Sequence, residues 1–298
     1  MHPNLPDPMN LVQELKHKGI VEPDCEVSER LRGTTLGTVY VLKAAGQPAY
    51  VLKLDDPQQI YITARFLTGY SGNPLLPRLL YADPQNEFIV YSYIQGSAFP
   101  ARGPKKGWLP AVAERLIGAY VVAEDHHGWG WMDEPADSWL DFIQERIQEA
   151  RAAIGDLLPE EEHAMVQQLA LPHAAAVLET AGPGIGPAYW LHGDCGVHNF
   201  LFEQGELTGV IDPSPMIGPP LYDLVFAFCS SPDDLSPDTL LDAADAMPTG
   251  DSGPLPRSLL IRETVIQLYC RIATCLRHHP DDLPAYLEAW AEWKNARS

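Results

Sequence analysis

One stretch constrains this chain more than any other, namely His-Gly-Asp-Cys-Gly-Val-His-Asn at residues 192–199. Two β-rich runs joined by the turn sequence Glu-Gln-Gly-Glu follow over residues 200–211 and favour a hairpin. The second run leads directly into Asp212, which precedes a proline. Because a hairpin returns the chain toward its starting point, this loop and hairpin could bring Asp194, Asn199 and Asp212 together.

These three side chains suit phosphoryl transfer from a nucleoside triphosphate. That reaction needs a group that orients the attacking hydroxyl and accepts its proton, and it needs oxygen ligands for Mg²⁺. The protein-kinase template has an Asp, an Asn five residues later and a metal-binding Asp after a hairpin, which is the order found here. Asp and Asn are individually common turn residues, so the ordered set with its hairpin carries the prediction.

The residue identities in this stretch also resemble those of a known family. The motif His-Gly-Asp-x-x-x-x-Asn, followed by Gly-Val-Ile-Asp, resembles the aminoglycoside phosphotransferase family, a small-molecule branch of the protein-kinase-like fold. Protein kinases have Arg in place of Gly193, and Phe-Gly after the metal-binding Asp where this chain has Pro-Ser. The segment 218–224 resembles the family's Gly-Asp-Pro-x-x-Asp-Leu, with Pro219 replacing the usual Asp. The resemblance extends from about Glu26 to Cys229.

The resemblance implies a role for each matching residue. Asp194 is the catalytic base, and Asn199 and Asp212 bind Mg²⁺. Asp223 is a buried organiser of the catalytic loop. The implied activity is transfer of the γ-phosphate of ATP or GTP to a hydroxyl of a small acceptor, with a cationic acceptor as one option.

The implied fold is α+β and protein-kinase-like, with two lobes. Residues 1–94 would form a small five-stranded antiparallel N-lobe that binds the nucleotide. Residues 95–298 would form a larger, mainly helical C-lobe with the catalytic loop and the substrate-binding helices. The sequence pattern agrees, because strand patterns vanish from Trp108 onward apart from the catalytic hairpin.

Periodicity and turn residues predict the individual elements. We expect strands at 26–31, 38–42, 49–54, 79–81 and 87–93. We expect helices at 10–18, 57–68, 109–126, from 138 onward, 160–180 with a kink or break at Pro172, 221–229, 237–246, 255–276 and 282–294.

The first three strands contain the expected phosphate-binding features. Gly33 and Gly37 lie in a strand–turn–strand unit, which can bring backbone N–H groups close to phosphates, although such glycine pairs are usually simple turns. The following strand, Tyr-Val-Leu-Lys, ends at Lys53, where the kinase template places a lysine on the α- and β-phosphates. We therefore expect Lys53, Gly33 and Gly37 to contact the nucleotide.

The next helix departs from the template. It should provide a Glu that pairs with Lys53, but residues 57–68 contain no acidic residue. Either an acid from elsewhere holds Lys53, or Gln59 or Thr63 holds it by a neutral hydrogen bond, or the lysine is looser than usual. This departure keeps a catalytically weak, pseudokinase-like nucleotide-binding protein as the alternative.

The segment Tyr-Ser-Tyr-Ile-Gln-Gly at 91–96 corresponds by resemblance to the hinge between the lobes. The backbone of Ser92 and Ile94 would contact the adenine edge. Tyr91 takes the position that limits the depth of the base pocket, and a bulky residue there could leave GTP as the donor. The alternative is that these aromatic residues are strand core.

Overall composition limits the class of partner. The net charge of −20 argues against nucleic acid and is compatible with a cationic acceptor, although solubility is the favoured explanation. No apolar run has membrane-spanning length, and the N-terminal residues do not have the pattern of a signal peptide. Five scattered cysteines without C-x-x-C spacing indicate neither a zinc site nor a disulfide scaffold, so we expect a cytoplasmic protein.

The acceptor is open at this stage. An amino acid, a sugar or an amino alcohol fits the motifs as well as an antibiotic does, because the acceptor pocket would come from the variable helices at 100–180 and 230–298. A fold does not identify a substrate. The resemblance therefore implies a nucleoside triphosphate and a small-molecule acceptor as partners, with neither nucleic acid nor membrane.

Overall fold

The computed structural model describes five stretches of the chain, and side chains within them except those of residues 172–179. The described stretches are 6–31, 37–98, 104–179, 188–248 and 253–296. The chain divides into two compact units, which are considered one at a time. Unit 1 is Met1–Gly96 with Gly209–Ile211, and unit 2 is Ser97–Thr208 with Asp212–Ser298.

The described helices are α1 (Pro8–His17), α2 (Pro57–Gly69), α3 (Lys105–Arg115), α4 (Trp139–Ile154), α5 (Glu160–Glu179), α6 (Leu221–Cys229), α7 (Pro237–Asp245), α8 (Arg257–His278) and α9 (Leu283–Asn295). The described strands are β1 (Glu26–Leu31), β2 (Thr38–Ala44), β3 (Gln47–Leu54), β4 (Leu79–Ala82), β5 (Phe88–Ser92), β6 (Gly130–Trp131), β7 (Tyr189–Leu191), β8 (Phe200–Glu203), β9 (Glu206–Val210) and β10 (Met216–Gly218).

Unit 1 is built on an antiparallel five-stranded sheet with the order β1-β2-β3-β5-β4. Side chains alternate along β3, so that Leu52 and Leu54 enter a core cluster that also contains Leu11 and Leu15 of α1. Lys53 lies between these two leucines and therefore points to the opposite face of the sheet. The five predicted strands are confirmed, with shifts of one to two residues at their ends.

Helix α2 begins as its sequence predicts. The carboxylate of Asp56 accepts a hydrogen bond from the Gln58 N–H at 2.9 Å, and Pro57 occupies the first helical position. The helix buries an apolar face that includes Ile60 and Phe66. This placement fixes the segment that joins β3 to α2, and that segment contains Asp55, whose carboxylate lies 3.8 Å from Lys53 Nζ.

Unit 2 is mainly helical around the buried helix α8. It also contains a three-stranded sheet with the order β6-β10-β7 and the two-stranded hairpin β8-β9. Trp139 at the start of α4 is fully buried, and its N-cap is Ser138, whose hydroxyl accepts from the Asp141 N–H at 3.1 Å. The N-cap of α7 is Ser236.

The predicted helix over 109–126 is wrong beyond Arg115. Helix α3 ends there, and a single short turn at Ile117–Ala119 leads into extended backbone at Tyr120. Residues 121–123 then run beside the chain that leads into β7, where Trp190 N–H donates to the Val121 carbonyl at 3.0 Å and Ala123 N–H donates to the Ala188 carbonyl at 2.8 Å. Tertiary pairing therefore overrides an apolar spacing that resembled a helix face.

Three further expectations need correction. The sheet β6-β10-β7 was not predicted, because strands of two or three residues are too short to show alternation. Helix α5 continues as one helix through Pro172, so the predicted break does not occur there. His126 was expected to end a helix, but its Nδ1 lies 3.0 Å from the Gly128 carbonyl and its ring packs on Trp129.

Two observations concern the environment of the protein. In the part of the chain that the structure describes, no helix is both long and apolar enough to cross a membrane. The five cysteines are free thiols, and all are buried.

Candidate active site

The catalytic loop begins where β7 ends and is held against the segment that follows Asp212. Ser214 N–H donates to the His192 carbonyl at 2.9 Å. Gly193 has a φ of +80°, and a Cβ at this position would lie 2.0 Å from the Ser214 carbonyl oxygen. Only glycine fits such a close approach in a left-handed conformation, which explains the Gly of the His-Gly-Asp motif.

Asp194 and Asn199 contact each other directly. The Asn199 amide Nδ2 donates to the Asp194 carboxylate Oδ2 at 2.9 Å and to the Asp194 backbone carbonyl at 3.0 Å. Asn199 is only 4% exposed, in the short turn Val197–Asn199 before β8. Because its NH₂ group is used on Asp194, the amide oxygen is the atom that Asn199 can offer to a metal ion.

His198 is a site residue that the sequence reasoning missed. Its Nε2 lies 3.3 Å from Asp194 Oδ2, and its side chain is 64% exposed. The absence of a Cβ at Gly196 makes this possible, since a Cβ there would lie 2.4 Å from the His198 ring. The hydrogen bond to Asp194 raises the pKa of His198 in opposition to burial, and the charges of Asp194 and Asp212 raise it further.

The same contacts set the ionisation of Asp194. Burial by itself raises the pKa of this carboxyl group, but the hydrogen bonds from His198 and Asn199, with the charges of His198 and His192, outweigh burial. The pKa of Asp194 therefore lies below its ordinary value. The carboxylate is ionised at neutral pH and is held in one orientation.

Asp212 lies just beyond the β8-β9 hairpin, which returns the chain toward the catalytic loop. It is half-buried and has a φ of +53°, a left-handed conformation that non-glycine residues rarely adopt. Strained backbone of this kind concentrates at functional sites. Its negative charge raises the pKa of His198, the residue that contacts Asp194.

Asp223 is buried below this loop. Its carboxylate oxygens both accept from the Gly193 N–H at 3.2 Å, and Oδ2 also accepts from the Tyr120 hydroxyl at 2.5 Å. Burial raises the pKa of Asp223 to about 6, although these hydrogen bonds oppose the rise. The expectation of a buried organiser is met in its position and contacts, and Tyr120 is a partner that the sequence did not indicate.

Lys53 belongs to unit 1 and is nearly buried, with 7% exposure. Its Nζ lies 3.8 Å from Asp55 Oδ2, and the other Asp55 oxygen accepts from the Asp56 N–H at 2.9 Å. Of the alternatives left open by the acid-free helix, the structure therefore supports an acid from elsewhere. The signal was present in the sequence, because an acidic residue follows Lys53 by only two positions at the end of β3.

The two predicted glycines have different outcomes. Gly33 lies outside the described residues. Gly37 lies against Asp55, since a Cβ there would be 2.5 Å from Asp55 Oδ2. Gly37 thus leaves room for the carboxylate beside Lys53, and its predicted contact with phosphate stays a prediction.

The predicted hinge residues are also in unit 1. Ser92 ends β5, and its N–H donates to the Arg78 carbonyl at 2.9 Å while its hydroxyl oxygen accepts from the Arg78 N–H at 2.9 Å. Ile94 packs against Gly209, where a Cβ would be 2.6 Å from the Ile94 side chain. Tyr91 is 8% exposed and forms part of the strand core. The backbone contacts of Ser92 and Ile94 with a base stay predictions.

The residues of unit 2 fit Mg²⁺ by their chemistry. Mg²⁺ prefers oxygen ligands and is usually bound by one or two carboxylates together with substrate phosphates and water. Asp212 supplies a carboxylate and Asn199 an amide oxygen. Within the described stretches no group of three or more His, Cys, Asp and Glu side chains could hold a metal ion, and a site completed by phosphates does not require one.

Comparison with protein families identifies the relatives. A family model described as phosphotransferase enzyme family (APH) matches residues 28–253, which is most of the chain. The chain belongs to the phosphotransferase enzyme family. The predicted family is therefore confirmed. No match is found among curated proteins.

Solved structures place this phosphotransferase-family chain in the kinase-like fold. A choline kinase from Cryptosporidium parvum Iowa II matches with a TM-score of 0.60 and 12% identity, covering 97% of this chain and 95% of that one. A thermostable mutant of aminoglycoside phosphotransferase APH(4)-Ia matches with a TM-score of 0.59 and 18% identity, covering 95% and 98%. Aminoglycoside 2′-phosphotransferase-IIIa, solved as a GDP complex, matches with a TM-score of 0.58 and 15% identity, covering 98% and 100%. At these identities the likeness shows the fold, and the predicted fold class is confirmed.

Proposed function

We propose that this protein is a small-molecule kinase that transfers the γ-phosphate of a nucleoside triphosphate to a hydroxyl group of a small acceptor. Membership of the phosphotransferase enzyme family gives the reaction class. The observation that carries the proposal is the hydrogen bond of 2.9 Å from the Asn199 amide to the Asp194 carboxylate. It links the proposed base to the proposed metal ligand.

Asp194 acts as the base. Its lowered pKa keeps it ionised at neutral pH, and its Oδ2 is oriented by Asn199 and His198. It orients the acceptor hydroxyl and accepts its proton as the phosphoryl group is transferred. Because the protein forms no covalent bond in such a reaction, the rate depends on positioning and on the neutralisation of charge.

Residues of unit 2 would bind the metal ion. Asn199 and Asp212 would hold Mg²⁺ through their oxygen atoms, and the ion would neutralise charge on the phosphate oxygens. Lys53 contacts the α- and β-phosphates, and Asp55 takes over the orienting role of the missing helix Glu. Lys53 Nζ lies 3.8 Å from Asp55 Oδ2, within ion-pair distance, which supports this role for Asp55.

The donor is ATP or GTP, read by the backbone of Ser92 and Ile94. The bulk of Tyr91 favours GTP, and one structural neighbour was solved with GDP, whereas another was solved with ADP and hygromycin B. The acceptor is a small, cationic alcohol. The net charge of −20 and the neighbours named as choline kinases and aminoglycoside phosphotransferases support this class.

The second candidate is a pseudokinase-like protein that binds nucleotide with little or no turnover. It is favoured by the acid-free helix α2, which lacks the Glu that the kinase template pairs with this lysine. The two candidates differ in turnover, and both require a nucleotide site.

The test is a thermal shift with ATP and with GTP, each with and without Mg²⁺. We compare wild type with Asp212→Asn, and use Asp242→Asn, a half-exposed carboxylate paired with Lys106, as the charge-matched control. A Mg²⁺-dependent stabilisation that Asp212→Asn loses and Asp242→Asn keeps supports the nucleotide site and identifies the donor. No stabilisation by either nucleotide would contradict both candidates.

An acceptor screen then separates the candidates. Amino alcohols, aminoglycosides and neutral sugars are offered with the donor found above, and phosphorylated product is measured for wild type and Asp194→Asn. Product that depends on Asp194 supports the kinase. Nucleotide binding without product over the whole panel supports the pseudokinase.

A further inference from the structure

A buried pair of side chains lies directly beneath the catalytic loop. The Tyr120 hydroxyl donates to Asp223 Oδ2 at 2.5 Å, although the two residues are 103 positions apart in the chain. Tyr120 is 8% exposed and Asp223 is fully buried. Such a bond is made in a low-dielectric environment, where the loss of either partner leaves the other with an unsatisfied polar group.

Both members of the pair also hold the backbone immediately before Asp194. The Tyr120 hydroxyl oxygen accepts from the His192 N–H at 3.2 Å, and Asp223 accepts from the Gly193 N–H at 3.2 Å through both oxygens. The Cys195 sulfur lies 3.8 Å from the Tyr120 hydroxyl. The residues on either side of Asp194 are thus tied to one buried cluster.

The early end of α3 is what delivers Tyr120 to this position. The backbone of Tyr120 is extended, with φ −63° and ψ 142°, and the following residues pair beside β7. Gly118 permits the approach of Pro248, because a Cβ at Gly118 would lie 2.5 Å from the proline ring. The irregular segment that replaces the predicted helix therefore has a specific consequence, which is the placement of one hydroxyl group.

We propose that Tyr120 is a positioning residue of the phosphotransfer site, which fixes Asp194 by hydrogen-bonding the His192 amide and the Asp223 carboxylate. This inference rests on the proposed function and deepens it. Tyr120 touches no substrate in this arrangement. It acts through the two backbone amides that precede the base.

The hydroxyl also influences the ionisation of Asp223. The titratable groups that face this carboxyl group are Tyr120 and Cys195, and Tyr222 experiences its charge. The ionised form accepts from Tyr120 and Gly193 together, and burial already raises its pKa to about 6. Removal of the Tyr120 donor removes a hydrogen bond that lowers this pKa, so the pKa should rise further and the ionised form should be lost at higher pH.

The experiment replaces the hydroxyl alone, by Tyr120→Phe. The matched control is Tyr269→Phe, which removes another buried hydroxyl of unit 2, lying 2.5 Å from His163 Nδ1. For both variants we measure kcat, the KM for the donor nucleotide, the pH profile of kcat and amide hydrogen exchange of the segment around residues 190–196. Exchange needs no substrate, so it also reports on the loop if the protein lacks turnover.

The expected result is specific to Tyr120. A displacement of the base by a fraction of an ångström to one ångström should lower kcat about tenfold to a hundredfold, with little change in the KM for nucleotide. The acid limb of the pH profile should move to higher pH, and amide exchange of the loop should become faster. Tyr269→Phe should leave all three readouts close to wild type.

Several results would overturn the inference. Loop exchange unchanged in Tyr120→Phe would show that the hydroxyl does not hold the loop, whatever happens to kcat. An equal loss of kcat in both variants would show a general effect of a buried hydroxyl on stability. If wild type has no turnover, the proposed kinase activity fails, while faster loop exchange in Tyr120→Phe alone would still support the holding role.

Discussion

Replacement of Gly193 by alanine should be far more damaging than the same replacement at Gly205. Both glycines have left-handed backbone, with φ of +80° and +86°, and both lie in unit 2. A Cβ at Gly193 would be 2.0 Å from the Ser214 carbonyl oxygen, whereas a Cβ at Gly205 meets nothing within 4 Å. The pair therefore separates the cost of the conformation from the cost of the close approach.

The expected magnitudes follow from these distances. The left-handed conformation costs an alanine about 1–2 kcal/mol at either position. At Gly193 the backbone of Ser214 must also move, which disrupts its hydrogen bond to His192 at about 1 kcal/mol and adds overpacking strain of about 1–3 kcal/mol. We expect Gly193→Ala to lose about 3–6 kcal/mol of unfolding free energy and Gly205→Ala about 1–2 kcal/mol. The effect of alanine on the unfolded chain is common to both and cancels.

Urea unfolding followed by tryptophan fluorescence measures this difference in the correct part of the molecule. All seven tryptophans lie between Trp108 and Trp293 and outside 209–211, so the signal reports unit 2. Gly193→Ala should also reduce phosphotransfer, because the alanine Cβ would force residue 193, which precedes Asp194, away from Ser214. Equal losses of stability in the two variants would refute the reasoning, since the close approach would then carry no cost.

Three further predictions concern other parts of the chain. Asp55→Asn should raise the KM for nucleotide severalfold by removing the charge beside Lys53, whereas Asp56→Asn should leave the KM unchanged, because Asn is an equally good N-cap. Steady-state kinetics compares the two variants directly, and equal KM values would contradict the role of Asp55. Burial raises the pKa of Glu263 to about 8 from 4.5 in spite of the nearby arginine charge, so the folded state binds this proton more tightly than the unfolded state. The free energy of unfolding should therefore fall by a few kcal/mol as pH rises from about 4.5 to 8. Urea unfolding at several pH values should show that Glu263→Gln loses this fall, and an unchanged pH dependence in the variant would count against the prediction. Lys105→Met should destabilise unit 2 by about 1–3 kcal/mol, because the buried Lys105 ammonium donates to two backbone carbonyls at the end of α6, at 2.7 and 3.1 Å. An unfolding midpoint equal to that of wild type, measured by fluorescence, would show that these hydrogen bonds contribute nothing to stability.

The parts of the fold that sequence predicts well are those set by local patterns. The strands of unit 1 and the caps at Asp56, Ser138 and Ser236 follow from alternation and from side chains that bond their own backbone. The close contact of Asp194 with Asn199 follows in the same way, because only five residues separate them. Local chemistry determines these features, so a single sequence contains the information.

The features that sequence could not provide depend on distant segments. Residues 116–126 have apolar spacing typical of a helix, but pairing beside β7 gives the backbone alternative hydrogen bonds. Tyr120 contacts Asp223 across a separation of 103 positions in the sequence, and nothing in the local pattern marks either as a partner. Asp55 is the intermediate case, because its position two residues after Lys53 is visible in the sequence, whereas the kinase template assigns this role to a Glu of the following helix.

The contact between Gly193 and Ser214 has a consequence for how such an enzyme can be controlled. Protein kinases place an arginine at the Gly193 position, and phosphorylation of their activation loops acts through arginine–phosphate pairs. Here an arginine side chain would start inside the Ser214 backbone, and the chain passes from Asp212 to the paired strand β10 within four residues. We therefore expect a catalytic loop that is assembled as soon as the chain folds, with output governed by the supply of donor and acceptor and not by covalent switching at this loop.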